Sequence, residues 1–295
     1  MNFKQYNTLD FFRDSVLNIL LKDEAGNNLP ISILTDRKSE TSGKWFMSTV
    51  SDNFYNILLI ALCALPHNII LSEPAQVKSG PVTGLGSVEF LANNMKRIRC
   101  GVSGVFARTD LADRFAAAYF GNTDKKLKTT SVAMKLDRLL PYEMASGICM
   151  PLTESDLSYA PSWERAFCVE CKIPTFSLEE STSRIRARIG TDRHYIWWED
   201  GVPVSQVVYG RDTPDGAVIN WVYTPPEFRG HGYASALVAE VAKLLFLRGK
   251  KFCCLFADAE NPVSRSVYSK LGYKEVDFFR QIQFDKELPG NNYSS

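Results

Sequence analysis

The chain has 295 residues, 45% hydrophobic and 23% charged, an ordinary mixture for a folded soluble protein that excludes a disordered or collagen-like chain. Lys and Arg number 34 against 33 Asp and Glu, so the formal net charge of +1 calls for neither a nucleic acid nor a membrane as partner. The length exceeds the common size of one domain and predicts two.

Leu9, Phe12, Val16, Ile19 and Leu20 recur at helical spacing and predict a first amphipathic helix. Asp10, Arg13 and Asp14 interrupt its apolar residues, so it does not read as a signal peptide. The turn cluster at 24–30 ends it. Residues 31–34 and 45–50 read as strands. The longest apolar stretch, 57–65, is closed by Pro66 and falls far short of the ~20 residues of a membrane span. It reads as a buried helix over 54–65. With neither targeting signal nor span, the cytoplasm is the expected location. Residues 69–71 read as a strand. In the loop at 79–87, Gly84 and Gly86 read as turn glycines, since no strong strand precedes them and no basic residue follows closely. A helix is expected over 111–119 and a strand over 130–139. Pro141 and Gly147 then punctuate a boundary that divides the chain into 1–143 and 144–295.

Past the boundary a strand at 148–152 opens into an acidic helix start with Thr153 as N-cap. That helix extends to about 171, interrupted near Pro161. A second, over 178–189, carries Arg184, Arg186 and Arg188, which read as a solvated face. Strands at 194–198 and 202–209 flank the turn Glu199-Asp200-Gly201 as a hairpin. A strand follows at 217–224, then a long helix with Leu237, Val241, Leu244 and Leu245 on its core face. A strand at 251–257, a helix at 261–271 and a strand region at 273–284 complete the chain. No period of 20 to 50 residues marks a repeat.

The seven cysteines are odd in number and scattered, unlike a disulfide framework. Cys168 and Cys171 form a C-x-x-C without a second pair at zinc spacing, and read as structural. His67, His194 and His231 are too dispersed for a metal cluster, and no metal is expected.

The segment that carries chemistry is strand, loop, helix: VINWVYT, PPEFRGHGYA, SALVAEVAKLL. The loop glycines let backbone N–H groups approach a ligand. The loop opens onto a helix N-terminus, where unpaired N–H groups and the helix dipole favour an anion such as a pyrophosphate, with Arg229 able to add charge. No G-K-[ST] ends it, so it is not a Walker A loop, and it is not G-x-G-x-x-G either.

About thirty residues downstream lies NPVSRSVYSKLGY, residues 261–273. Taken together, residues 146–285 resemble the GNAT superfamily of acyl-CoA-dependent N-acetyltransferases. VYTPPEFRGHGYASALV looks like its motif A and NPVSRSVYSKLGY like its motif B. The resemblance implies a GNAT fold in the C-terminal half: mixed α/β, with a largely antiparallel central sheet and flanking helices. It implies acetyl-CoA as co-substrate. Val222, Tyr223 and Thr224 would pair with the pantetheine arm. Arg229, Gly230, His231, Gly232, Tyr233, Ala234 and Ser235 would hold the pyrophosphate. Asn261, Ser264 and Arg265 would contact the coenzyme, and Tyr268 would protonate the leaving thiolate.

The implied reaction is direct attack of a primary amine, small-molecule or protein, on the thioester, with a strand N–H near Val222 stabilising the oxyanion. Glu227 and Asp258 are candidates for the base by position only. Two other functions stay open: a longer-chain N-acyltransferase of the glycine-conjugating kind, and a non-catalytic acyl-CoA sensor. The N-terminal half has no motif A. Its alternation of helix and strand is compatible with a degenerate second acetyltransferase-like fold, as in tandem members of the superfamily. It would wall the acceptor pocket or serve as a dimerisation or partner-binding module. An oligomeric state is not readable.

Overall fold

The computed structural model describes residues 1–36, 44–65, 67–79, 84, 86–121 and 125–284. The chain forms two compact units. The first comprises Met1–Ala133, Ala257–Asn261 and Glu275–Ser295, and the second Met134–Phe256 and Pro262–Lys274. Where the sequence suggests one cut after residue 143, the units interleave. The last strand is the reason: its residues pair with a strand of the first unit.

The first unit contains β1 (Asn2–Gln5), α1 (Leu9–Leu20), α2 (Asn28–Thr35), β2 (Trp45–Ser51), β3 (Ile57–Ala64), β4 (Ile69–Ser72), α3 (Ala75–Ser79), α4 (Ser87–Arg97), β5 (Gly104–Arg108), α5 (Thr109–Phe120) and most of β6 (Lys125–Leu136). Its sheet order is β1-β2-β3-β4-β5, then the last strand of the chain, then β6. Pairing is antiparallel from β1 to β4, and β4 and β5 run parallel. The last strand meets β5 antiparallel, Phe279 opposite Arg108 and Gln283 opposite Gly104.

The expected helix over 54–65 is strand β3. Strand faces alternate, and β3 is buried on both. Leu59, Ala61 and Cys63 join a core with Leu91 and Met95 of α4 and Phe115 of α5. Ile60 and Leu62 join a second core with Phe12 and Val16 of α1 and Ile31 and Leu34 of α2. A strand covered on both faces loses the alternation that identifies strands, and its unbroken apolar run reads as a buried helix. The reverse error falls on residues 31–34, which belong to α2. Ile31 and Leu34 are spaced to face one core from a single helical turn. Helix α4 and strand β5 carried no sequence expectation. Most of the loop expected at 79–87 lies outside the described residues.

The second unit begins with the end of β6, then β7 (Ile148–Pro151), a 3-10 turn (Glu154–Ser158), α6 (Ala160–Glu170) and α7 (Leu178–Arg186). There follow β8 (His194–Glu199), β9 (Val202–Gly210), β10 (Gly216–Tyr223), a 3-10 turn (Pro226–Phe228), α8 (Tyr233–Leu247), β11 (Phe252–Asp258) and α9 (Pro262–Leu271). The chain then enters β12 (Lys274–Phe284), the strand that joins the first unit. The order in this unit is β7-β8-β9-β10-β11, antiparallel throughout except for the parallel pair β10–β11. Helix α8 packs on β8, β9 and β10, and α6 packs on α7 and β10. The expected class, α/β with largely antiparallel sheet and flanking helices, is the class observed.

The helix start at Thr153 is a capping box: Asp156 accepts from the Thr153 backbone N–H at 2.6 Å. Pro161 sits in the first turn of α6, where its missing N–H costs nothing, so the interruption is a junction between a 3-10 turn and a helix. Arg184 on α7 and Arg188, two residues past its end, depart from a solvated face. Glu164 of α6 is fully buried, and both Arg188, at 3.0 Å, and Arg184, at 3.5 Å, pair with it. Only Arg186 stays at the surface, 3.6 Å from Glu154.

His194 is buried beside this pair. Its Nε2 lies 3.3 Å from Gln206 Oε1, and its Nδ1 has no partner. Burial, reinforced by the Arg188 charge, pulls it from 6.5 down to about 3.

Two measurements test these placements. Leu59→Ala should cost about 2–5 kcal/mol in a denaturant titration, since Leu59 is fully enclosed; a value typical of a surface site would refute a two-faced β3. His194 binds its proton in the unfolded chain before it does so in the fold. Its contribution is therefore complete above pH 6.5 and is lost as pH falls toward about 3. Urea midpoints between these values should fall with acidity in the parent protein. His194→Gln should flatten that slope by at most about 1.4 kcal/mol per pH unit.

Candidate coenzyme site

Strands β10 and β11 pair in parallel at only three positions, Gly216 with Phe252, Ala217 with Cys253 and Val218 with Cys254. Residues 219–223 continue the strand without a β11 partner. The cause is visible on the other side of β10. Asn220 faces Val208 and Tyr223 faces Gln206, so three steps on β10 match two on β9. One residue is extra, a β-bulge. It is accommodated at Trp221, which takes φ +51°, a left-handed conformation unusual for a bulky side chain. Past Val218 the β11 side of β10 has no strand partner, while β9 continues on the other side.

The end of β10 is tied down by side chains. The buried Ser205 hydroxyl donates to the Tyr223 carbonyl at 3.1 Å and shares a 2.9 Å hydrogen bond with the Thr224 hydroxyl. Arg229 donates from Nε to the Thr224 carbonyl at 2.8 Å. Its guanidinium also reaches both oxygens of Glu170, the last residue of α6, at 2.7 and 2.8 Å, and lies 5.8 Å from the Tyr223 ring centre. Arg229 thus brackets strand, loop and α6. Burial raises the Tyr223 phenol, and the neighbouring Glu170 carboxylate adds to the effect.

Beyond the bracket, Gly230 and Gly232 take φ +85° and +81°. Gly232 is the N-cap of α8, and no side chain caps it. The first-turn N–H groups of a 15-residue helix therefore have no side-chain acceptor. A Cβ at Gly230 would meet nothing within 4 Å, and one at Gly232 only Ala145 at 3.8 Å. Glycine is needed here for its backbone angles, and the space in front is open. His231 and Tyr233 stack at 5.5 Å beside it. Ala234 and Ser235 occupy the first turn of α8, half-buried.

Helix α9 carries Ser264, Arg265 and Tyr268. Tyr268 is buried, crosses the Tyr273 ring edge-on at 5.8 Å and is hydrogen-bonded to Ser264. Burial pushes its phenol up to about 12, with Ser264 pulling the other way, so it keeps its proton across the neutral range. Cys171, just past the end of α6, is close enough to add slightly to the rise of the Tyr268 phenol. Asn261 stands in the turn before α9, its N–H on the Asp258 carbonyl at 3.1 Å, within the residues of the first unit.

Of the two carboxylates considered as base, Glu227 is exposed in the 3-10 turn. Asp258 is exposed and accepts the Glu260 N–H at 2.9 Å, a turn-stabilising role. Sequence reasoning missed Glu170 and the bulge at Trp221. Neither position has a motif to announce it.

A surface cavity of about 430 Å³ lies elsewhere on the second unit, lined by Ile148, Met150, Asp156 and Trp198 among others, and includes none of these loop residues. Among the described residues no group of His, Cys, Asp and Glu could hold a metal ion, and no helix is long and apolar enough to cross a membrane.

The family model described as the acetyltransferase (GNAT) family matches residues 161–273, the span from α6 through the loop to the end of α9. No curated protein matches the sequence. Solved structures share the fold over nearly the whole chain. A GCN5-related N-acetyltransferase from Sphaerobacter thermophilus aligns with a TM-score of 0.63 at 15% identity, over 97% of this chain and 95% of its own. A GNAT-family acetyltransferase from Colwellia psychrerythraea aligns at 0.56 and 12% identity, over 97% and 100%. A tandem GNAT protein from the clavulanic acid biosynthesis pathway aligns at 0.58 and 14% identity, over 95% and 97%. At these identities the likeness speaks for fold alone. The sequence match to the GNAT acetyltransferase family thus covers residues 161–273 of this chain, within a fold similar to that of a tandem GNAT protein.

Proposed function

We propose that this protein is an N-acyltransferase that takes an acetyl group from acetyl-CoA and passes it to a primary amine by direct attack, the amine belonging to a small molecule or a protein. The observation that carries the reading is the parting of β10 from β11 directly before an open glycine loop at the start of α8. A free strand edge suits a thin amide-bearing arm, and an uncapped helix start suits a pyrophosphate.

In this reading the backbone of Val222, Tyr223 and Thr224 pairs with the pantetheine arm. Backbone N–H groups from Arg229 to Ser235 hold the pyrophosphate, the Arg229 guanidinium being engaged by Glu170 and Thr224. Asn261, Ser264 and Arg265 contact the remainder of the coenzyme. Acetyl-CoA supplies an activated thioester.

The N–H near Val222 donates to the oxyanion that forms on the thioester carbon. As that intermediate collapses and the carbon–sulfur bond breaks, Tyr268 gives its proton to the sulfur. A phenol pushed up to about 12 remains a proton donor throughout the neutral range. The attacking amine loses its proton to water, Glu227 and Asp258 both being exposed to solvent.

Acetyl-CoA should raise the thermal midpoint, because a ligand that binds only the native state stabilises it by mass action. Gly232→Glu, which sets a carboxylate on a strained backbone at the anion cradle, should abolish the shift. No shift in the parent protein at millimolar ligand would remove the proposal.

Tyr268→Phe should leave coenzyme affinity within a few-fold while turnover falls by ~10²-fold, the scale for a positioned general acid. Unchanged turnover, measured where chemistry limits the rate, would assign Tyr268 to packing. Binding without turnover across an amine panel would make the protein a sensor of acyl-CoA.

A further inference from the structure

The left-handed backbone at Trp221 is a costly conformation for a residue with a large side chain, and such conformations persist only where the surroundings over-determine them. The surroundings here are specific. The Trp221 ring lies 4.9 Å from the Phe167 ring of α6. The guanidinium of Arg188 lies 5.8 Å from the Trp221 ring centre and that of Arg184 6.0 Å. Arg184 in turn sits 4.0 Å over Phe176. Arg188 hydrogen-bonds to Glu164 at 3.0 Å, and Arg184 lies 3.5 Å from the same carboxylate, whose side chain has no solvent exposure at all.

A carboxylate so buried is tolerable only when paired, and breaking such a pair is far costlier than the pair is worth. Its presence behind the bulge therefore calls for a role other than stability. A planar guanidinium can hydrogen-bond in its plane to Glu164 while offering its face to an indole, which an ammonium cannot do.

We propose that Arg188, held by Glu164, is a positioning residue for acyl transfer. By bracing Trp221 it keeps the bulge in β10, and the bulge keeps the Val222 N–H directed at the place where the oxyanion forms. This rests on the function proposed above, for the use of that N–H. The bracing itself concerns only the backbone of β10.

The experiment compares Arg188→Lys in two backgrounds, the natural chain and Trp221→Gly. Lysine keeps the charge beside Glu164 and loses the planar stack. Glycine accepts φ +51° without strain, so it removes what Arg188 acts upon. In the natural background, thiol release from acetyl-CoA with the best amine found should fall by ~10–10²-fold, at the lower side of the loss seen when an oxyanion donor is deleted. The KM for acetyl-CoA should stay within about two-fold, because transition-state and not ground-state contacts are lost. In the Trp221→Gly background the same substitution should change turnover by no more than about two-fold, the mark of a shared path. The Val222 amide resonance of isotopically labelled protein should move with Arg188→Lys in the natural background and stay in place in the glycine background.

Equal losses in both backgrounds, or turnover and the Val222 resonance both unmoved by Arg188→Lys, would overturn the assignment. If the natural protein neither binds nor cleaves acetyl-CoA, the proposed function falls, and the Val222 resonance alone then decides whether Arg188 braces the bulge.

Discussion

The proposed function rests on one failure of pairing, the parting of β10 from β11 after Val218. A parallel pair that continued would spend its backbone hydrogen bonds within the sheet and leave a coenzyme arm nothing to join. The extra residue at Trp221 prevents this. It shifts the register against β9, turns the strand, and leaves residues 219–223 without a partner on the β11 side. A buried sheet interior would not tolerate such orphaned groups, but the mouth of a strand pair does, because water or a ligand can satisfy them. In the proposed function this defect is where the coenzyme arm joins the sheet.

Other contacts make sense as supports for that defect. Ser205 fixes the carbonyl at the end of β10, and Arg229 fixes the next residue while reaching Glu170 on α6. Arg229 and Glu170 are both nearly half exposed, so their ion pair contributes at most ~1 kcal/mol to stability. Its value is geometric. A forked guanidinium fixes the loop entry against both a strand end and a helix end, and the two glycines can then swing the chain into α8 with the first turn uncapped. Arginine is thereby spent on shaping the loop, and in the proposed function the attraction for the pyrophosphate comes from backbone N–H groups and the helix dipole. Tyr268 illustrates the same economy. The burial that raises its phenol also keeps it protonated, so a single placement supplies both position and protonation state.

How much of this could be read from residues alone follows from which interactions are local. Helix α8, the glycine loop and α9 were legible because their signals lie within a few residues of one another: positive-φ glycines, an uncapped helix start, an Asn before Pro262. The hairpin β8–β9 was legible from Asp200-Gly201 for the same reason. Strand β3 was not, since burial on two faces erases period-2 alternation, and the helices that cover it lie far away in sequence. The bulge was illegible for a sharper reason. A left-handed residue normally declares itself as Gly or Asn, and here it is Trp221, held by Phe167 and by arginines on a different helix. Glu164 and Glu170 look like ordinary helix-surface acids in α6. Only the fold shows that one is sealed in the interior and the other anchors the loop.

The first unit makes the limits of the glycine signal plain. It too has a parallel pair, β4–β5, and between these strands in sequence lies α4, whose N-cap is a glycine at φ +83°, Gly86. Backbone geometry alone would rate this start as fit for an anion as the start of α8. The charges differ. Glu73, just past β4, is largely buried, and its Oε1 would stand 3.1 Å from a Cβ at Gly84. Burial raises this carboxyl, and Arg108, 3.7 Å away, pulls it back. Arg108 also reaches Asp277 at 3.5 Å, and Asp277 and Asp23 share Lys78 at 2.8 and 3.1 Å. The strand end is thus filled by a network of this chain's own charges, with a carboxylate toward the glycine loop. A Cβ at Gly84 would thus meet a carboxylate, while one at Gly230 would meet nothing within 4 Å. A helix start and a glycine do not by themselves make an anion site, because the charges beside Gly84 and beside Gly230 differ.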